Sequence, residues 1–334
     1  AGALLVGLTP MRAHPQTTGA GSDPGLRRLE AEIERLAVAA RGTVGVAAIH
    51  LETGRSAYVN RAVAFPMAST YKVPIAVQLL TMVDEGKLSL DSMVTVPQED
   101  VYRTASTISD LLHEPGLALS VRNLLELMLR VSDNIATDVL FRTAGGSRAI
   151  TGRMRALGLA NTRVDRPTWA LISAFVGRPD ITEENRIYPA DYLALLSRQR
   201  TPEEQAAHTK AFNEDPRDTT TPEEMGALLT RIWQREILSA ESTNLLLDIM
   251  YRCDTGPGRI KGILPPGTRV AHKTGTIGET TNDVGIIDLP GGAGHVVAVV
   301  YIKESKLPNS AAMEPVIAQI SRAIHDYFAF NPGS

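Results

Sequence analysis

Cysteine is almost missing from this sequence, with one residue, Cys253, in 334. An internal disulfide is therefore excluded, and so is a metal site built on several thiolates. The surrounding run MYRCDTGPG offers no base to activate the thiol, so Cys253 reads as a small buried hydrophobe. An excess of charge of one sign is lacking too. The 34 Lys and Arg stand against 37 Asp and Glu, dispersed rather than gathered into runs, which leaves no electrostatic footprint for nucleic acid. The histidines His50, His113, His208, His272, His295 and His325 are scattered without metal-ligand spacing and read as structural. No apolar run reaches transmembrane length. The stretch AGALLVGLTP, followed by MRAHPQ, reads as the tail of a secretory signal peptide or as a disordered arm, and the first reading predicts a periplasmic or secreted protein. What is present is a globular composition, 43% hydrophobic, enough for a sizeable core.

Order begins near Gly25, where Leu26, Leu29, Ile33 and Leu36 fall on one face of a helix that Gly42 ends. TVGVAAIHLETG and SAYVN then read as two strands joined at Glu52-Thr53-Gly54. From Ser69 to about Met250 the apolar spacing is almost wholly helical. Strand signals return in TRVAHKTGT, DVGIIDLP and HVVAVVYIKE, and a helix over AAMEPVIAQISRAIHDYFAF closes the chain. The pattern predicts an α+β fold in which an antiparallel sheet, flanked by N- and C-terminal helices, carries an inserted all-helical domain. The expected division is an arm over residues 1–25, a sheet domain from 26–66 with 268–330, and a helical domain over 67–267.

Three short motifs carry chemistry. Ser69-Thr70-Tyr71-Lys72 lies where strands give way to helices, so Ser69 is expected in a first helical turn with Lys72 on the same face, three residues on. A hydroxyl becomes a useful nucleophile when a neighbouring base takes its proton, and an amine serves when burial or a second cation lowers its pKa. The helix N-terminus adds N–H groups for an oxyanion. By itself this spacing is common. Ser132-Asp133-Asn134 follows a helical run, and Lys273-Thr274-Gly275 lies in a predicted strand. Each triplet arises by chance in about 4% of chains of this length, and both in this order in about 0.1%.

The set resembles the signature of class A β-lactamases and penicillin-binding proteins, and the resemblance to class A β-lactamases extends in element order from about Leu26 to Phe330. It implies Ser69 as the acylated nucleophile, Lys72 as a proton acceptor, Ser132 as the hydroxyl relaying a proton to the leaving nitrogen, and Lys273 as its electrostatic support. It further implies that Asn134 binds the substrate's side-chain amide and that Thr274, Gly275 and Thr276 form the carboxylate-binding stretch. The N–H groups of Ser69 and Thr276 would be the oxyanion hole. Arg259 falls where some members place an arginine for that carboxylate, for which its fork is suited. No cofactor or metal is implied. The expected partner is a small molecule, a β-lactam or a D-Ala-D-Ala peptide, and the expected protein is a monomer that neither spans a membrane nor binds nucleic acid.

The sequence departs from the family in one place. Class A β-lactamases carry a glutamate and an asparagine in the Ω loop, where the glutamate activates the deacylating water. In NTRVDRPTWALI these positions hold Thr168 and Ile172, neither of which is a general base of that kind. Arg166 and Asp218 match the family's salt-bridged loop ends, but the region over 163–222 carries a long insertion expected to contain helices. Its Glu183, Glu184, Asp191, Glu203, Glu204 and Glu214 read as surface charges, with a substitute base as the alternative. Trp169 and Tyr102 read equally well as pocket lining or core. The leading expectation is a serine β-lactamase acylated on Ser69. A D,D-peptidase or esterase of the same fold, with slow deacylation, and a β-lactam sensor acylated once are the alternatives.

Overall fold

The structure is a computed structural model that describes residues 23–181, 194–195, 197–331 and 333. The first helix, α1 (Pro24–Ala37), is opened by Asp23, whose carboxylate accepts from the N–H groups of Gly25 and Leu26, a cap worth about 1 kcal/mol. It buries Leu26, Leu29 and Ile33. The helix stops earlier than Gly42: a 3-10 turn follows, and Arg41 takes the left-handed conformation.

Strands β1 (Thr43–His50) and β2 (Ser56–Val59) form the expected hairpin. A two-residue strand β3 (Phe65–Pro66) leads to α2 (Lys72–Asp84). The helical stretch is interrupted by a small ribbon of β4 (Met93–Thr95) with β5 (Ala118–Ser120), which the helical spacing did not foreshadow. Around it lie α3 (Thr107–Leu111), α4 (Val121–Arg130), α5 (Asn134–Thr143) and α6 (Gly146–Ala156). Then come α7 (Thr168–Phe175) and α8 (Pro202–Glu214), the latter begun by a capping box between Thr201 and Glu204. The helix expected over PADYLALLSRQ falls largely outside the described residues. Strand β6 (Thr219–Thr220) pairs with β3 and precedes α9 (Pro222–Trp233) and α10 (Ala240–Tyr251). The chain returns to the sheet through β7 (Val270–Ile277), β8 (Thr280–Asp288) and β9 (His295–Lys303), and ends in α11 (Ser310–Phe330).

The five-stranded sheet has the order β2-β1-β9-β8-β7, antiparallel throughout. Because side chains alternate between faces, it divides two hydrophobic cores. On one face Val46, Val300 and Ile302 pack with Leu29, Ile33 and Ile320 of α1 and α11. On the other, Ala47, Val299 and Tyr301 join Met67, Tyr71 and Met225 in a larger core that runs through the helices. This leaves β7 as an edge strand, with the turn that carries Ser69 packed against it.

Candidate active site

Ser69 sits in a 3-10 turn, Ala68–Tyr71, that runs directly into α2 at Lys72. Ala68 is held at φ +46, a left-handed conformation costing a non-glycine residue about 1–2 kcal/mol. The surroundings impose it. Asn282 Nδ2 donates to Pro66 O at 2.9 Å and Met67 O at 3.1 Å, while Met67 N–H donates to Asp218 O at 2.9 Å. Gly275 completes the clamp, since a Cβ there would lie 2.5 Å from Met67 O and 3.0 Å from Ser69 N. The glycine of the Lys-Thr-Gly triplet thus lets β7 lie against the serine turn.

Ser132 occupies the break between α4 and α5 and is itself left-handed, at φ +60. Asp133 fixes that break, its Oδ1 accepting from Ser106 Oγ and Ala136 N–H at 2.8 Å and its Oδ2 from Ile108 N–H at 3.1 Å. Two lysines converge on the serine hydroxyl. Lys72 Nζ is 3.1 Å from Ser132 Oγ and Lys273 Nζ is 2.9 Å from it. Lys72 also donates to Ser132 O at 2.8 Å and Asn134 Oδ1 at 3.0 Å, and Lys273 to Thr274 O at 2.9 Å. Both lysines are fully buried. Burial, reinforced by the neighbouring Lys273, takes the Lys72 amine well below the usual lysine range. Burial also brings Lys273 down to about 8, against the pull of Cys253 and Asp283. One of two adjacent amines can therefore be neutral near neutral pH, so the cluster can both accept and donate a proton.

Asn134 is buried, with Nδ2 donating to Thr104 Oγ1 at 3.0 Å. Thr276 lies exposed on β7. Arg259 is buried beneath it: Nη2 donates to Thr276 Oγ1 at 2.7 Å, Nη1 to the carbonyls of Gly275 and Asn282, and Nε to Glu314 at 3.1 Å. Its fork is thus occupied by the protein, and it meets the cleft through the Thr276 hydroxyl. The nine residues singled out from the sequence fall on the serine turn, the α4–α5 break, β7 and the segment before β7.

On the Ω-loop side, Arg166 and Asp218 form the buried pair expected of the loop ends, with Nε–Oδ2 at 2.5 Å and Asp215 on Nη1 at 3.0 Å. Thr168 begins α7. Its N–H donates to Asp138 Oδ1, and its hydroxyl shares a proton with Tyr71 Oη at 2.6 Å. Burial and the nearby Asp138 raise the Tyr71 phenol well above its ordinary pKa, so this pair offers no base. Ile172 packs on the large core. Tyr102 and Trp169 are buried, and Tyr102 donates to Asp138 Oδ2 at 2.7 Å, so both belong to the core. Glu183, Glu184 and Asp191 lie outside the described residues. Glu203, Glu204 and Glu214 stand on α8 as helix-start and surface charges, Glu204 in the capping box and Glu214 paired with Lys210. Asp138, Tyr71 and Asn282 escaped the sequence reading because their partners are distant in the chain; only the buried setting of a carboxylate mid-helix marks Asp138.

The model of the β-lactamase enzyme family matches residues 28–328. The chain belongs to that family. Among curated relatives it is similar to the extended-spectrum β-lactamase PER-1 of Pseudomonas aeruginosa, 30% identical over 90% of this chain and 87% of the relative. It is also similar to β-lactamase VEB-1 of the same organism, 28% identical with 90% of each covered. Among solved structures, a β-lactamase from Chitinophaga pinensis superposes with a TM-score of 0.72 at 31% identity, covering 90% of this chain and 98% of that one. An ancestral class A β-lactamase gives 0.71 at 31% identity, with 89% and 99% covered. The resemblance drawn from the three motifs is thereby shown, and with it the class A serine β-lactamase fold. Among the described residues no helix is long and apolar enough to cross a membrane.

Proposed function

We propose that this class A serine β-lactamase hydrolyses the β-lactam amide through an acyl-enzyme on Ser69, with deacylation as its slow step. The observation that carries the reading is the Ser132 hydroxyl held between two buried lysines, at 3.1 and 2.9 Å. In this scheme neutral Lys72 takes the Ser69 proton as Oγ attacks the lactam carbonyl. The N–H groups of Ser69 and Thr276 receive the oxyanion. Collapse breaks the C–N bond, the ring nitrogen takes the Ser132 proton, and Lys72 returns its proton to Ser132. Charged Lys273, with Thr274, Gly275 and the Arg259-supported Thr276, holds the substrate carboxylate, while Asn134 meets the side-chain amide.

Water must then attack the ester. The Thr168 hydroxyl, tied to buried Tyr71, is a poor base for it. That feature favours, as a second reading, a D,D-peptidase that β-lactams inhibit. Intact-mass spectrometry after mixing with a penicillin tests both. A Ser69 adduct that forms and then clears supports the proposal, and a lasting adduct with release of D-alanine from a D-Ala-D-Ala peptide selects the second reading. Absence of an adduct together with undiminished β-lactam cleavage in Ser69→Ala overturns it.

A further inference from the structure

Cys253, isolated in the sequence, meets in the fold the base that its own segment lacks. It follows α10 and lies buried beside β7, where His272, immediately before Lys273, is fully buried. His272 Nδ1 is 2.9 Å from Asp283 Oδ1 and 3.0 Å from Oδ2, across the β7–β8 pair. Nε2 is buried without a hydrogen-bond partner among the described residues, and the imidazole and the Cys253 thiol lie near enough for each to shift the other's pKa. On the other side of the sulfur, Thr255 Oγ1 is 3.2 Å from Sγ and 2.6 Å from Thr274 Oγ1. A buried Asp283–His272 pair thus stands beside a hydrogen-bonded chain that runs from Cys253 through Thr255 to the hydroxyl of the Lys-Thr-Gly triplet. The proposed chemistry uses none of Asp283, His272, Cys253 and Thr255.

We propose that Asp283, His272, Cys253 and Thr255 form a buried relay that sets the direction of the Thr274 hydroxyl and so tunes how the site holds its substrate's carboxylate. This rests on the reading of Thr274 as part of the carboxylate subsite. Cys253 and Thr255 are positioning residues that act through Thr274. The Thr255 hydroxyl has one proton and two neighbours, so it donates to one of them. When the sulfur is a thiolate, it is the stronger acceptor. Thr255 then donates to sulfur, Thr274 donates to Thr255, and the Thr274 oxygen turns lone pairs toward the substrate carboxylate. When sulfur holds its proton, S–H donates to Thr255, Thr255 to Thr274, and Thr274 is free to donate to the carboxylate. Taking up one proton from solvent at sulfur reverses the whole chain.

The electrostatics place that reversal within working pH. Burial pushes the thiol up, but the His272 imidazole, with Lys273 nearby, brings it down to about 7. Burial works against the His272 cation, and Asp283 outweighs it, raising the imidazole to about 9. The charged groups around the sulfur are His272 and Lys273 on β7, Asp283 on β8, neighbouring Asp254, Lys261, whose ammonium donates to Cys253 O at 3.1 Å, and Arg259 with its partner Glu314.

Cys253 is the chain's one thiol, so thiolate absorbance reads this site alone. The test compares Ser69 acylation rates for a penicillin and for its carboxylate methyl ester across pH, in the wild-type protein, Cys253→Ser and Thr255→Val. The acid-to-ester rate ratio is expected to fall about five-fold between about pH 6 and 8.5, the size of one hydrogen bond, with the midpoint at the thiol's own titration. Cys253→Ser keeps a hydroxyl that does not ionise and is expected to hold the low-pH ratio until loss of charge on Lys273, near pH 8, lowers it, and Thr255→Val is expected to lose the same step at the thiol's titration. A flat wild-type ratio, the wild-type pH dependence surviving in Cys253→Ser, or a thiol titrating in its ordinary range above about 8.5 overturns the relay. If neither compound labels Ser69, the proposed function fails, and the relay's link to substrate fails with it.

Discussion

The two walls of the cleft are anchored equally well and equipped very differently. On the serine wall, Lys72, Ser132 and Lys273 are buried polar groups with short mutual contacts, and Asn282 and Gly275 fix the turn that presents Ser69. On the Ω-loop wall, Arg166–Asp218 closes the loop end and Asp138 receives the Thr168 N–H, so the backbone is no less fixed. Yet the side chains offered there are a hydroxyl paired with a neutral phenol and the apolar Ile172. Among the described residues, what the second wall lacks is a base, not order. That difference is what supports the proposed slow deacylation.

The largest effect is expected on the serine wall. Lys273→Ala removes the cation beside Ser132 and the carboxylate subsite, and acylation is expected to slow about 10³-fold in stopped-flow. Because its ammonium is buried and its pKa is brought down to about 8, the variant's melting temperature is expected to hold or rise. Wild-type acylation in Lys273→Ala would erase the contrast between the walls. Next in size is Arg166→Ala, which strands the fully buried Asp218 carboxylate and is expected to remove about 3 kcal/mol of stability in urea unfolding. A loss below about 1 kcal/mol, the value of a surface pair, would show that the Ω-loop wall is not anchored as its geometry indicates.

The comparison sharpens further when a base is supplied. Thr168→Glu with Ile172→Asn places a carboxylate and an amide on α7, whose start is already held by Asp138. The lifetime of the Ser69 adduct is expected to shorten about 10²-fold, read by intact mass after dilution from a penicillin. An unchanged lifetime would mean that α7 aims its first residue away from the ester.

How much of this was legible in the sequence follows from the range of the interactions. Periodicity sees neighbours three or four residues apart, so it marked α1, the β1–β2 hairpin and the closing β7–α11 segment. It missed the β4–β5 ribbon, because three-residue strands leave no period to read. The motifs singled out Ser69, both lysines and Ser132 because each stands within a short run of chemistry-bearing residues. Asn282, Asp138 and the His272–Cys253 contact join positions far apart in the chain, and no local pattern announces them. The pairing of Arg166 with Asp218 was legible through the family resemblance alone, across a 52-residue separation.

The smallest expected effect separates activity from stability within one pH window. In the proposed scheme Lys273 acts as a cation, and burial brings its pKa down to about 8. The acylation rate is therefore expected to decline through that pH and to lie about ten-fold below its plateau one unit higher. Stability moves the other way. A lysine whose pKa is lower folded than unfolded penalises the native state fully below the folded pKa. The penalty is relieved as pH rises toward the ordinary lysine range, where the unfolded chain holds more protons. The stability deficit of the wild-type protein relative to Lys273→Met is expected to shrink by about 1–2 kcal/mol from about pH 7.5 to 9.5. Urea unfolding of the two proteins across that range measures it, and the difference cancels the opposing contribution of His272, which Asp283, present in both, raises to about 9. A deficit that stays constant, or a rate that climbs through pH 9, would mean that the charge on the serine wall resides on a different amine.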